Sequence, residues 1–139
     1  MKGLDLLALS LIAGLGVSTT AFGATPSSGT LSNLTPTVTW TGAPVGANAN
    51  ETSCIDGTTC DVYTLTLDPG DYTGKRIAIN CTWLVPAHDY DLYVHNNTVS
   101  GSIAAQDGNS PPNTLESVSI PIEPPVVAAA KTYVVHMGA

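Results

Sequence analysis

The sequence predicts an all-β protein with a β-sandwich architecture, and three observations carry that expectation. From residue 31 onward, apolar residues alternate with polar ones at period two. β-Branched and aromatic residues are concentrated between turn-forming clusters, and no stretch repeats its apolar residues at the 3.6-residue spacing of a helix. With 139 residues the chain has room for one domain.

The elements follow in order. Strands are expected at 37–41, 61–67, 76–84, 90–94, 101–105, 116–122 and 132–137, about seven to eight antiparallel strands in all. Asp68-Pro69-Gly70-Asp71 places Pro and Gly as a type II turn requires, and Asp107-Gly108 is a second site suited to positive φ. Alternation puts Tyr63, Leu65 and Leu67 on one face and Val62, Thr64 and Thr66 on the other. It likewise sets Tyr90, Leu92 and Val94 against Asp91, Tyr93 and His95. One face is expected to be core and the other wet. Trp40 and Trp83 are expected to fill space between the sheets.

Residues 1–23 have a different character: Lys2 near the start, an apolar run from Leu6 to Val17, then small residues around Ala21 and Gly23. This is the layout of a secretory signal peptide, with 24–139 as the mature domain. The apolar run of about a dozen residues is shorter than the roughly 20 needed to span a bilayer, so no membrane insertion is expected after cleavage. The expected destination is secretion, extracellular or at the cell surface.

Charged residues make up only 11% of the chain, and four Lys and Arg against eleven Asp and Glu give a formal charge of -7. A chain without a basic stripe repels a phosphate backbone, so no nucleic-acid partner is expected. Of the three cysteines, Cys54 and Cys60 bracket a short loop containing Asp56-Gly57, a spacing that suits a disulfide in an oxidising compartment. Cys81 alternates onto the same face as Ile77, Ile79 and Trp83 and reads as a buried small hydrophobe.

The order of features resembles a bacterial pre-peptidase C-terminal domain. The matching stretches are Thr37-Val-Thr-Trp-Thr-Gly42, Cys60-Asp-Val-Tyr-Thr-Leu-Thr-Leu67, Gly70-Asp-Tyr-Thr-Gly-Lys-Arg76, and Trp83 followed by Asp89-Tyr-Asp-Leu-Tyr-Val94. Glu116 to Ile120 and Thr132 to Val135 look like that family's last two strands. The resemblance implies a jelly-roll β-sandwich acting as a non-catalytic module in extracellular binding, secretion or adhesion. It departs from the family in that no catalytic domain is expected within these 139 residues.

The densest polar cluster is His88-Asp89-Tyr90-Asp91-Leu92-Tyr93-Val94-His95. Asp89 in the loop before the strand, with Asp91 and backbone carbonyls, would offer calcium the oxygen ligands it takes. The resemblance points to calcium in the same place. No zinc site is expected, because His88, His95 and His136 lack a paired ligand spacing and no free Cys adjoins them in sequence. No local signature joins Ser, His and Asp into a hydrolytic triad, so no enzymatic activity is expected. Tyr72 in a turn and Tyr93 on the wet face are the aromatic candidates for stacking on a sugar, with an extracellular polysaccharide or a protein as ligand. The alternative is a structural subunit of a filament or surface layer, self-assembling when the arm at 24–36 adds as a strand to a neighbour's sheet.

Overall fold

The computed structural model describes residues 8–10 (backbone only), 23–42 and 54–138. It is all-β, with no helix among the described residues. The strands are β1 (Ala8–Ser10), β2 (Ser28–Leu31), β3 (Thr39–Trp40), β4 (Cys60–Leu67), β5 (Gly70–Asp71) and β6 (Arg76–Thr82). They continue with β7 (Asp91–Asn96), β8 (Ile103–Asp107), β9 (Leu115–Pro121), β10 (Val126–Val127) and β11 (Lys131–Gly138).

A five-stranded sheet runs β2-β4-β11-β7-β8, a four-stranded sheet runs β3-β1-β6-β9, and β10 pairs with β5 alone. All seven expected strands are present, with ends shifted by at most two residues. The four short strands β1, β2, β5 and β10 were not expected. They are too brief to display an alternation, and tertiary pairing rather than pattern defines them.

The expectation of purely antiparallel strands needs correction: β1 runs parallel to β3 and β6, and β2 runs parallel to β4. The arm at 24–36 is the reason for the last of these. Its Ser28–Leu31 segment lies along the edge of β4 in its own sheet, with Ser28 opposite Thr64 and Leu31 opposite Leu67. Most of the expected leader lies outside the described residues, but Ala8–Ser10 within it pairs between β3 and β6.

Each main sheet turns one face into a common core. β4 contributes Tyr63, Leu65 and Leu67, β7 contributes Leu92 and Val94, and β11 contributes Tyr133, Val135 and Met137. Ile77, Ile79 and Cys81 of β6 and Val118 and Ile120 of β9 face them from the other sheet. Cys81 is a free, buried thiol, as its position in the alternation requires. Burial pushes its pKa well up, with Asp61 and Glu116 adding to the effect, so it is held as an unreactive thiol.

Both tryptophans anchor this core. Trp40 stacks on Tyr63 with ring centroids 3.8 Å apart and planes 5° from parallel, and Trp83 meets Tyr90 edge to face at 5.4 Å. Such pairs add about 0.5–1.5 kcal/mol each beyond the area they bury. The turn glycines differ from expectation: Gly57 and Gly74 adopt positive φ, whereas Gly70 opens β5. Gly108 instead lies where a side chain would meet the Asp91 carboxylate.

Stacking against Trp40 drives the Tyr63 hydroxyl under the backbone of Gly29, where a Cβ would lie 2.0 Å from the oxygen. That buried hydroxyl has no hydrogen-bond partner. Tyr63→Phe removes a buried polar group that gains nothing, so it should hold or raise stability in urea denaturation, by up to about 1 kcal/mol. Gly29→Ala should lose roughly 1–3 kcal/mol through overpacking, and the double variant should recover most of that loss.

Candidate functional site

The outer face of the five-stranded sheet holds the polar groups that sequence reasoning assigned to solvent. On β4 the outward residues are Cys60, Val62 and Thr64; on β7 they are Asp91, Tyr93 and His95. β11 lies between these strands, with His136 opposite Val62 on one side and Tyr93 on the other. Alternation and register therefore bring Cys60, His136, Tyr93 and His95 onto one patch of sheet.

This patch is not wet. His95 and His136 are each 1% exposed and Cys60 is fully buried, which overturns the solvent-facing assignment of His95. Two loops cover it. The loop closed by the Cys54–Cys60 disulfide folds back on β4, where the Asp56 carboxylate accepts a hydrogen bond from the Val62 amide at 3.0 Å. The turn after β7 brings the Gly101 carbonyl to 2.8 Å from His95 Nδ1. The disulfide is the one expected from sequence, with Cα atoms 5.3 Å apart.

The hydrogen bonds fix the tautomers of the two imidazoles. A carbonyl oxygen only accepts, so His95 Nδ1–H donates to Gly101, and the neutral ring presents a lone pair at Nε2. His136 Nε2 lies 2.9 Å from that atom and donates to it. His136 Nδ1 is then a buried lone pair without a partner. Tyr93 stacks on His136 with centroids 5.1 Å apart, and its hydroxyl donates to Asp91 Oδ2 at 3.3 Å. Burial foremost, then the proximity of His95, holds the His136 pKa down at about 4.

Sequence reasoning missed this arrangement, because Cys54, Cys60 and His136 are joined only by the register of β11. A ring nitrogen of His136 and the two sulfur atoms all lie within 4.8 Å of one another. The expectation that no free cysteine adjoins a histidine concerned thiols, and the sulfur atoms beside His136 are those of the disulfide.

The other site residues are placed as follows. Asp89 is exposed in the loop before β7, while Asp91 is half-buried on the strand. Tyr93 is half-buried, with part of its ring taken by His136. Tyr72 is not the surface ring expected of a turn residue: it is 1% exposed, with its hydroxyl donating to the Asp68 carbonyl at 2.8 Å. Its amide donates to the Pro125 carbonyl beside β10 and its ring is buried, so it offers no stacking platform.

A second acidic grouping was not singled out from sequence. Glu116 is fully buried beneath the loop after β8, accepting hydrogen bonds from the Asn109 amide at 2.9 Å and the Asn109 side chain at 3.1 Å. Burial is the main reason its pKa lies above the ordinary carboxylate value, and neighbouring Asp107 raises it further. Asp107 in turn accepts hydrogen bonds from Asn109 and from the Ser117 amide. These carboxylates pin the β8–β9 connection. The signal available in sequence was the oxygen-rich run Asp107, Asn109, Asn113 and Glu116.

Near the opposite end of β7, a shallow cleft of about 410 Å³ opens between the two main sheets. Asn96, Asn97, Glu123, Lys131 and Thr132 line it, together with Tyr133. Lys131 donates to the Glu123 carbonyl across it. A scan of protein-family models, a search of curated proteins and a search of solved structures give no match to this chain.

His136 carries a pH dependence of known sign. Its folded pKa of about 4 lies below the ordinary 6.5, so the unfolded chain binds the extra proton more readily. Stability is complete above pH 6.5 and falls as the pH drops toward 4, by on the order of 3 kcal/mol from this residue. Urea denaturation at pH 7 and at pH 4.5 should show a smaller acid loss in His136→Gln than in the wild type. Equal losses would refute the assignment.

Proposed function

We propose that the chain is an exported, non-catalytic β-sandwich module of jelly-roll type that binds an extracellular polysaccharide or protein. The cleft lined by Asn96, Asn97, Glu123, Lys131 and Thr132 carries this reading. It combines amide, hydroxyl, carboxylate and ammonium groups at a sheet junction, the mixture that recognises a neutral, hydroxyl-rich ligand. The Cys54–Cys60 disulfide supports an oxidising compartment, and the low-charge, Thr- and Ser-rich composition suits an exported surface. The two buried imidazoles, bonded to each other, are poorly placed to act as bases on a substrate. Calcium at Asp89 and Asp91 belongs to the same reading as a stabilising ion.

Isothermal titration against a panel of soluble polysaccharides tests it. Saturable binding to at least one should be weakened about tenfold by Lys131→Ala, and Glu123→Gln should act in the same direction. Absence of binding across the panel, or binding that neither substitution changes, would reject the cleft.

One observation favours a second reading, a subunit that assembles by strand addition. Ala8–Ser10, within the expected leader, occupies the place between β3 and β6, with Leu9 opposite Cys81 and Ser10 opposite Thr82. Cleavage after Gly23 removes that strand and leaves the Cys81–Thr82 edge open to a strand from another copy. Light scattering of residues 24–139, with and without calcium, separates the readings. A particle of one chain's mass is expected for a binding module, and large or filamentous species for a subunit.

A further inference from the structure

Three sites compete for attention: the acidic grouping at Asp107 and Glu116, the edge beside Ala8–Ser10, and the buried cluster of Cys54, Cys60 and His136. The first has its carboxylates satisfied by Asn109 and Ser117, and the second belongs to the assembly reading above. The third contains an unsatisfied atom. His136 is 1% exposed, its Nε2 is engaged by His95, and Nδ1 has no partner at all. A buried lone pair without a donor is costly, and the ring that carries this one lies beside the two sulfur atoms of the disulfide.

We propose that Cys54, Cys60 and His136 form a latent site for a thiophilic divalent cation of the zinc type, closed by the disulfide and opened by an external dithiol. The two sulfur atoms and a ring nitrogen of His136 already lie within 4.8 Å of one another. Around tetrahedral zinc, sulfur at about 2.3 Å and nitrogen at about 2.0–2.1 Å place ligand atoms some 3.5–3.8 Å apart, so modest side-chain movement closes the shell. The fourth position falls to water, reached past half-buried Cys54.

The outer shell is in place before any ion arrives. A ligating histidine ordinarily donates its second ring N–H to an acceptor that fixes its tautomer, and His136 Nε2–H already donates to His95, which donates onward to Gly101. This relay leaves the Nδ1 lone pair as the nitrogen available to an ion. Two thiolates would cancel the charge of the divalent ion, so the buried site would be neutral.

Opening and loading balance as follows. The dithiol passes two electrons and two protons to the disulfide, the S–S bond breaks, Cys54 and Cys60 become thiols, and the dithiol leaves as its own disulfide. The ion then forms two S–metal bonds and one N–metal bond. Each thiol releases its proton to solvent, and His136 gives its lone pair without losing a proton.

The test uses the full chain with cobalt(II) as the probe, after anaerobic reduction with dithiothreitol and its removal by desalting. Near-ultraviolet sulfur-to-cobalt charge transfer and visible bands of a tetrahedral ion should appear at one cobalt per reduced chain and be erased by zinc. The oxidised chain should show neither. His136→Gln should weaken cobalt binding roughly tenfold or more, since losing a ligand costs at least what losing its outer-shell partner does. Should that variant not fold, Cys54→Ser, at a half-buried position, should abolish the charge-transfer band expected of two thiolates. Tryptophan fluorescence of buried Trp40 and Trp83 reports whether the reduced chain is folded. Equal cobalt binding by oxidised and reduced chains, binding that neither variant alters, no binding by the reduced chain, or loss of the folded fluorescence on reduction would each overturn the proposal.

Discussion

The register of β11 is the constraint on which the rest depends. Its residues pair with β4 from Lys131 opposite Leu67 through Gly138 opposite Cys60, and with β7 from Tyr133 opposite Asn96 through Gly138 opposite Asp91. A slip of one residue would turn Tyr133, Val135 and Met137 out of the core and His136 into it. The penalty for that exchange is severe, because three large apolar groups would lose their packing in the core and the imidazole would lose its hydrogen bond to His95. Placement of the core and placement of the polar patch are therefore a single decision, made by one strand.

The patch behind that strand shows how a sheet's second face can be buried without becoming apolar. Cys60, His136 and His95 would sit in water if the sheet carried no covering. The disulfide loop and the turn through Gly101 supply the covering, and each brings groups that suit what it hides. Asp56 ties the first loop to the Val62 amide, and the Gly101 carbonyl takes the proton of His95. The result is a hydrogen-bonded chain running from Gly101 through both imidazoles, with Tyr93 stacked alongside and linked to Asp91. Polar groups so connected fix a unique geometry more firmly than apolar ones, since each bond has one acceptable direction.

Much of the strand inventory was legible because long strands advertise themselves. β4, β6, β9 and β11 each run seven or eight residues, enough for a period-two pattern to outweigh chance. Strands of two to four residues carry no such statistics, and β2 is recognisable only once β4 offers it an edge. The disulfide was readable because its loop is local. The Cys54, Cys60 and His136 cluster was not, because His136 lies 76 positions after Cys60 in the chain. Alternation correctly told which residues share a face with His95, but it cannot tell whether a loop lies over that face. The same blindness misjudged Tyr72: its turn was visible, and the pairing of β5 with β10 beside it was not.

Covering the histidines also links two properties that seem unrelated. The disulfide restricts the loop in the unfolded chain and holds it against β4 in the folded one, and the depressed pKa of His136 exists chiefly because the imidazole is kept from water. Whatever loosens the loop hydrates His136 and raises its proton affinity. Reciprocity then requires that protonating His136 loosen the loop by the same free energy. Acid and reductant thus act on one element from opposite sides: the proton enters through the imidazole, the electrons through the sulfurs, and both work against the burial that the register of β11 imposes.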